Sequence, residues 1–189
     1  VKLIVGLGNP GILYLNSRHN IGFSIVKLLA HSAKAALKKD KQAPALSGKT
    51  RIESECVTLA MPLTFMNLSG VAVSALVKKY KIDLNDLLVV CDDLDLEFGR
   101  LKIKPCGSSA GHRGIDSIIN SLDSKDFARL RIGIGRPRES RGTRDYVLSK
   151  FNRKESAQLK GILSVACDCC RTWISQGTDK SMNTFNKKE

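Results

Sequence analysis

Leu87-Leu-Val-Val-Cys91, running directly into Asp92-Asp-Leu-Asp-Leu96, is the stretch that decides the fold. Five consecutive apolar side chains leave the segment no polar face, so it reads as a strand covered on both sides rather than one that alternates between core and water. Two covered faces require two layers of helix. The three carboxylates that follow stand where open α/β sheets hold their ligands, just beyond the C-terminal ends of the strands.

The sequence on either side supplies the layers. Residues 2–6, 56–60, 101–104 and 130–135 read as further strands, the last softened by glycine. Between them the apolar period changes to that of a helix. Ile21, Ile25, Leu28 and Leu29 share one face and give way to a polar, lysine-rich stretch at 34–49. A second helix, capped by Asn67 or Ser69, carries Val71, Ala72, Ala75 and Leu76. A third begins near His112 with the stripe Ile115, Ile118, Ile119 and Leu122. A last helix over 154–175 buries Leu159, Leu163, Ala166, Cys170 and Trp173. The expected architecture is α/β: residues 1–189 as a single domain, with a central twisted mixed sheet, largely parallel, and helices on both faces. No repeat or linker divides it.

At 189 residues, 42% of them hydrophobic, the chain is long enough to bury roughly 70% of its unfolded surface. It carries 31 Lys and Arg against 18 acidic residues, a net charge of +13. That balance points to a polyanionic partner, with nucleic acid ahead of membrane because no basic amphipathic anchor stands out. No apolar run approaches the roughly 18 residues that span a bilayer. Leu3-Ile-Val5 is too short and too soon broken by glycine to serve as a signal core, so the expected location is the cytoplasm. The cysteines, Cys56, Cys91, Cys106, Cys167, Cys169 and Cys170, do not form a secreted disulfide framework. Cys167-Asp-Cys-Cys170 lacks the second ligand pair that structural zinc draws from another element, so these read as reduced thiols.

Several short stretches carry chemistry. Gly6-Leu-Gly-Asn-Pro-Gly11 satisfies the dinucleotide fingerprint G-x-G-x-x-G, but no helix opens at its last glycine and the first acidic residue downstream is Asp40. The glycines and Pro10 instead make a sharp turn that presents the Asn9 amide outward, or else leaves it capping its own backbone. Of three histidines, His31 lies within a helix and His112 at a helix start, where capping or facing a phosphate suits it. His19 just precedes a helix, whose positive end favours the neutral form that a general base needs. Asp92, Asp93 and Asp95 compete for one role, and the residues alone do not choose among them. Lys102, Lys104, Arg113, Arg129, Arg131, Arg136, Arg138, Arg141 and Arg144 crowd together. Strand alternation puts Lys102 with Lys104, and Arg129 with Arg131, on one side of the sheet, as a face for phosphates. The basic loop over 136–144 reads as the mobile segment.

In wording and order, Gly6-Leu-Gly-Asn-Pro-Gly11, Ser17-Arg-His-Asn-Ile-Gly22, Pro62-Leu-Thr-Phe-Met-Asn-Leu-Ser-Gly70 and Cys91-Asp-Asp-Leu-Asp-Leu96 closely resemble the bacterial-type peptidyl-tRNA hydrolases. The resemblance runs from Lys2 past Arg131 and more loosely to the C-terminus. It implies hydrolysis of the ester joining a peptide to the 3′-terminal ribose of tRNA, with no cofactor and no metal. It implies His19 as the base, Asp92 as the carboxylate that orients it, and Asn67 as a substrate contact and oxyanion donor. Asn9 would tell N-blocked peptidyl-tRNA from free aminoacyl-tRNA, Phe65 would contact the substrate beside Asn67, and Tyr14 would help to bind the tRNA end. The implied partner is the acceptor stem and 3′ end of peptidyl-tRNA, bound by a monomer.

The pattern departs at Gly111-His-Arg-Gly114, where many relatives have Gly-His-Asn-Gly. Arginine only donates, so it does not inherit the role of an asparagine that also accepts; a phosphate contact is its expected use. Gly107-Ser-Ser-Ala-Gly111 is also less glycine-rich than usual. Two other classes of function compete: an RNA-binding protein without catalysis, against which Asn9, His19 and Asp92 argue, and a nucleotide-cofactor enzyme.

Overall fold

In the computed structural model, which describes residues 1–137 and 142–186, the apolar run at 87–91 lies inside a seven-stranded sheet. Strands β1 (Lys2–Gly6), β2 (Lys38–Lys39), β3 (Ala45–Ile52), β4 (Glu55–Pro62), β5 (Leu87–Asp93), β6 (Leu101–Lys104) and β7 (Ala128–Gly133) take the order β2-β3-β4-β1-β5-β7-β6. The central four, β4, β1, β5 and β7, are parallel. The outer pairings are antiparallel. Every residue of β5 is buried. The mixed, largely parallel sheet inferred from the sequence is the observed one.

Helices α1 (Ile21–Ser32) and α5 (Arg153–Phe185) cover one face of the sheet, and α2 (Ser69–Tyr80) and α3 (Arg113–Leu122) the other; α4 (Thr143–Leu148) is short. Strand alternation therefore feeds two cores. Ile4, Leu88 and Val90 meet α1 and α5 around Trp173, while Leu3, Val5 and Val89 meet α2 and α3 around Phe127. Each such buried aliphatic side chain contributes about 1.5–3 kcal/mol relative to exposure. No helix among the described residues is long and apolar enough to cross a membrane.

Three elements differ from the sequence reading. The lysine-rich stretch contains β3, because Glu53 and Ser54, both with positive φ (51° and 68°), close a two-residue hairpin between Ile52 and Glu55. Such turns usually announce themselves with Asn-Gly or Asp-Gly, and here neither residue is glycine or asparagine. Neither Asn67 nor Ser69 caps α2: a 3₁₀ turn, Met66–Leu68, leads into it, and Ser69 Oγ donates to the Met66 carbonyl instead. Helix α5 runs ten residues further than its apolar stripe, broken at Gly177 (φ 80°, ψ −176°). The added segment ends at Asn186, whose side-chain amide exchanges two hydrogen bonds of 2.8 Å with the backbone of Ile103 and so pairs the outer edge of β6.

One close approach seats the start of α1 on the sheet. A Cβ on Gly22 would lie 2.4 Å from the Val90 carbonyl oxygen, and one on Gly6 2.2 Å from the Gly22 carbonyl oxygen. Phe23 N–H donates to the Leu7 carbonyl (3.1 Å) across the same contact. Gly22→Ala is expected to lower stability by about 1–3 kcal/mol, the usual cost of overpacking, in denaturant titration. An unchanged midpoint would contradict this packing.

Candidate active site

Strand β1 pairs with β4 on one side and β5 on the other, and the chain leaves the sheet here toward opposite faces. In open α/β sheets such a switch point forms a crevice at the C-terminal strand ends. A cavity of about 590 Å³ opens there. Asn9, Tyr14, His19, Phe65, Asn67 and Asp92, the residues nominated from the sequence, all line it.

His19 is carried on a buried 3₁₀ turn, Arg18–Asn20, that is tied down on both sides. Asn20 Oδ1 accepts from Asn9 N–H (2.8 Å) and its Nδ2 donates to the Asn9 carbonyl (2.9 Å). Arg18 turns away from the cavity. It pairs with Glu155 (2.6 Å), donates to the Lys150 carbonyl, and lies against the rings of Tyr146 and Phe151. Glu155 is itself fixed as the reciprocal partner of Asn152 in the capping box of α5. The histidine is thus held from the N-terminal loop and from the C-terminal helix at once.

Asp92 is the penultimate residue of β5, with only 2% of its side chain exposed. Its Oδ1 is 2.7 Å from His19 Nδ1 and 3.0 Å from His112 Nε2. Burial would push the carboxyl up, but the charges and hydrogen bonds of the two imidazoles outweigh it and hold the carboxyl well below the usual carboxylate range. An ionised carboxylate only accepts, so both ring nitrogens that face it must carry protons. His112 confirms this from its other side: its Nδ1 accepts from Gly114 N–H (3.1 Å) and Ile115 N–H (3.3 Å), capping α3. For His19 the proton on Nδ1 leaves the Nε2 lone pair free, on a ring that lines the cavity.

The competition among the three carboxylates is resolved by their partners. Asp93 pairs with Arg131 (2.5 Å) and accepts from Asp95 N–H in a turn, and Asp95 pairs with Arg136. Asp92 alone meets the histidines. The donor atoms of His19, Asp92 and His112 lie within 4.8 Å of one another, a spacing a metal ion could use. The α3 cap fits protons better, since a His112 nitrogen that accepts two amides obliges the other to hold a hydrogen.

Asn9 is not turned outward as its turn suggested. It is 7% exposed, and its Oδ1 accepts from Met66 N–H (2.7 Å), stitching two loops that are far apart in sequence. That leaves its Nδ2 as the donor available to the cavity. Tyr14 and Phe65 stand edge to face, 6.4 Å between centroids, with Phe65 55% exposed. Asn67 is exposed on the turn beside Phe65.

The basic face needs revision. Register pairs Lys102 with Arg131 and Lys104 with Arg129, so all four do project from one side of the sheet. Arg129, however, is 2% exposed and donates to the carbonyls of Gly107, Ser108 and Lys125, which makes it the clasp of that loop rather than a phosphate ligand. Arg113 and Arg144 line the cavity wall. Arg138 and Arg141, with the centre of the basic loop, lie outside the described residues. Cys167, Cys169 and Cys170 are buried in the core of α5, where burial pushes the first two thiols up to about 11 and about 12.

Arg18, Asn20 and Glu155 were not singled out for these roles from the sequence; His112 reads there as a helix cap, which it is, but not as a partner of Asp92. The Asn152-x-x-Glu155 capping box was readable as a helix start. Nothing local told that its glutamate also anchors Arg18.

The family model described as peptidyl-tRNA hydrolase matches residues 3–189. A peptidyl-tRNA hydrolase of Desulforudis audaxviator is 47% identical over 186 residues, which cover 98% of this chain and 93% of that one. One from Syntrophomonas wolfei is 44% identical, with 98% and 100% covered. The crystal structure of peptidyl-tRNA hydrolase from Acinetobacter baumannii superposes with a TM-score of 0.93 at 36% identity, covering 100% of this chain and 96% of that one.

The tautomers are open to direct measurement. In ¹⁵N-histidine NMR spectra at neutral pH, His19 is expected as the Nδ1–H form and His112 as the Nε2–H form. The opposite assignment for either ring would contradict the hydrogen bonding described above.

Proposed function

The chain belongs to the peptidyl-tRNA hydrolase family and hydrolyses the ester between peptide and tRNA, and we propose that His19 and Asp92 are the base and orienting acid of that reaction. The observation that carries the proposal is the 2.7 Å contact between Asp92 Oδ1 and His19 Nδ1, which leaves Nε2 as the free lone pair of a ring that lines the cavity. Nε2 takes a proton from water as the water oxygen bonds to the ester carbonyl carbon. The buried carboxylate stabilises the imidazolium that forms. When the tetrahedral intermediate collapses, the bond from carbon to the ribose 3′-oxygen breaks and the proton passes from Nε2 to that oxygen. No cofactor enters these steps.

Two amides support the acyl group. Asn9, oriented by Met66 N–H, offers Nδ2 to the blocked end of the peptide, where a free ammonium would find a donor instead of an acceptor. Asn67, across the mouth, fixes the ester and donates to the oxyanion. Phe65 and Tyr14 give the terminal adenine an aromatic platform, a contact worth about 1–3 kcal/mol per base. Arg113, Arg144, Lys102 and Lys104 meet acceptor-stem phosphates; Arg136 joins them by leaving its exposed partner Asp95, since surface ion pairs are weak. The enzyme works as a monomer in the cytoplasm.

Release of free tRNA from an N-acetylated aminoacyl-tRNA, undiminished by a chelator, is the test. His19→Ala should slow turnover by about 10²–10⁴-fold while leaving the fold intact. Near-full hydrolysis by that variant would end the assignment. Separately, binding of deacylated tRNA should weaken with salt along a log–log slope of about −0.7 to −0.9 per phosphate contact. A flat slope would remove the phosphate face.

A further inference from the structure

We propose that His112 is a positioning residue for the catalytic pair, acting through the one Asp92 oxygen that it shares with His19. The proposal rests on the reading of His19 and Asp92 given above and adds a residue that this reading leaves without a part in catalysis. As N-cap of α3, His112 needs only its Nδ1, which accepts from Gly114 and Ile115. A cap alone would place no demand on Nε2. Yet Nε2 is aimed at Asp92 Oδ1 over 3.0 Å, in a ring with 11% of its side chain exposed, its centroid 5.0 Å from that of His19.

The two ends of the ring depend on each other. Because the cap uses the lone pair on Nδ1, the proton must sit on Nε2, so His112 meets Asp92 as a donor and in no other form of the neutral ring. The backbone of α3 therefore dictates the polarity of a hydrogen bond in the active site. Ser109 accepts from His112 N–H (3.0 Å) and Asp116 N–H donates to the His112 carbonyl (3.0 Å), so the residue is fixed at its main chain as well.

Asp92 Oδ1 divides its charge between two N–H donors. With His112 gone, that oxygen would bear wholly on His19, and the pair would bind a proton more tightly, which disables a base at lower pH. His19 would also lose the second fixed point that sets the carboxylate plane. Both effects reduce kcat and leave KM alone, because neither touches the tRNA. The other charges nearby are common to enzyme and variant: Asp93 and Asp95 stay with Arg131 and Arg136, Arg18 with Glu155, and Arg113 and Arg144 stay on the wall. The Cys91 thiol, pushed up first of all by burial, remains protonated.

Two substitutions separate the cap from the link to Asp92. His112→Asn keeps a strong N-cap but is too short to reach Asp92. His112→Gln reaches further with an amide N–H but gives up the cap. For H112N we expect a folded protein of somewhat lower thermal stability, because the buried Asp92 loses one of its two donors, with kcat lower by about tenfold or more, unchanged KM, and an acidic limb of the kcat/KM profile displaced to higher pH. For H112Q we expect lower stability with kcat partly restored relative to H112N. Wild-type kcat and pH profile in H112N, or an H112Q no faster than H112N, would reduce His112 to a cap and overturn the proposal. Failure of the underlying reading would show elsewhere, as activity retained in H19A.

Discussion

A carboxylate at the end of a fully buried strand has to be compensated where it stands, and the rest of the crevice follows from that requirement. Removing an ion from water without a partner costs several kcal/mol even after relaxation. Asp92 cannot reach solvent, and its chain neighbours give it no help because Asp93 and Asp95 are acidic too. The compensation comes from two imidazole N–H groups that converge on one oxygen, each ring fixed at its far side by the backbone or the packing around it. The same arrangement that makes the buried charge tolerable fixes the proton of His19 on Nδ1, in a ring that lines the cavity.

Holding that ring in place draws on most of the fold. The turn that carries His19 is tied to the Asn9 loop by Asn20 and to the start of α5 by Arg18 and Glu155. The Asn9 loop is tied in turn to Met66. Three segments that leave different strands are thereby locked to one another around the crevice. The close backbone approach of Gly22 to Val90 sets the height of the whole assembly on the sheet. Local geometry at His19 is therefore a tertiary property, which a single-residue view of the histidine would miss.

That explains which parts were legible in the sequence. The central strand, the twin helix layers and the crevice at Asp92 could be read from unbroken apolar runs and helical stripes, because burial on two faces leaves a one-dimensional trace. The hairpin at Glu53 and Ser54 left none, since its positive φ values fall on residues that do not advertise them. The six nominated cavity residues were legible through resemblance to a family more than through periodicity: lone histidines and asparagines carry no pattern of their own. Arg129 shows the reverse limit. Alternation placed it on the correct side of the sheet, but whether a guanidinium faces solvent or three carbonyls depends on a loop twenty residues away.

The chemical asymmetry of the crevice fits a substrate with two dissimilar halves. One lip, from Ile12 to Leu15 and from Leu63 to Val77, contains no charged side chain in a chain of net charge +13. It exposes Ile12, Leu13, Phe65 and Leu68. Arg113, Arg131, Arg136 and Arg144 line the same cavity. A phosphodiester is attracted to the second and gains nothing from the first, whereas bases and acyl groups do the opposite. On the proposed reading the two halves of the substrate would sort between these surfaces, with the ester at His19, which lines the same cavity. On that reading charge would do more than attract RNA: its uneven placement would set which end of the substrate lies on which side of His19.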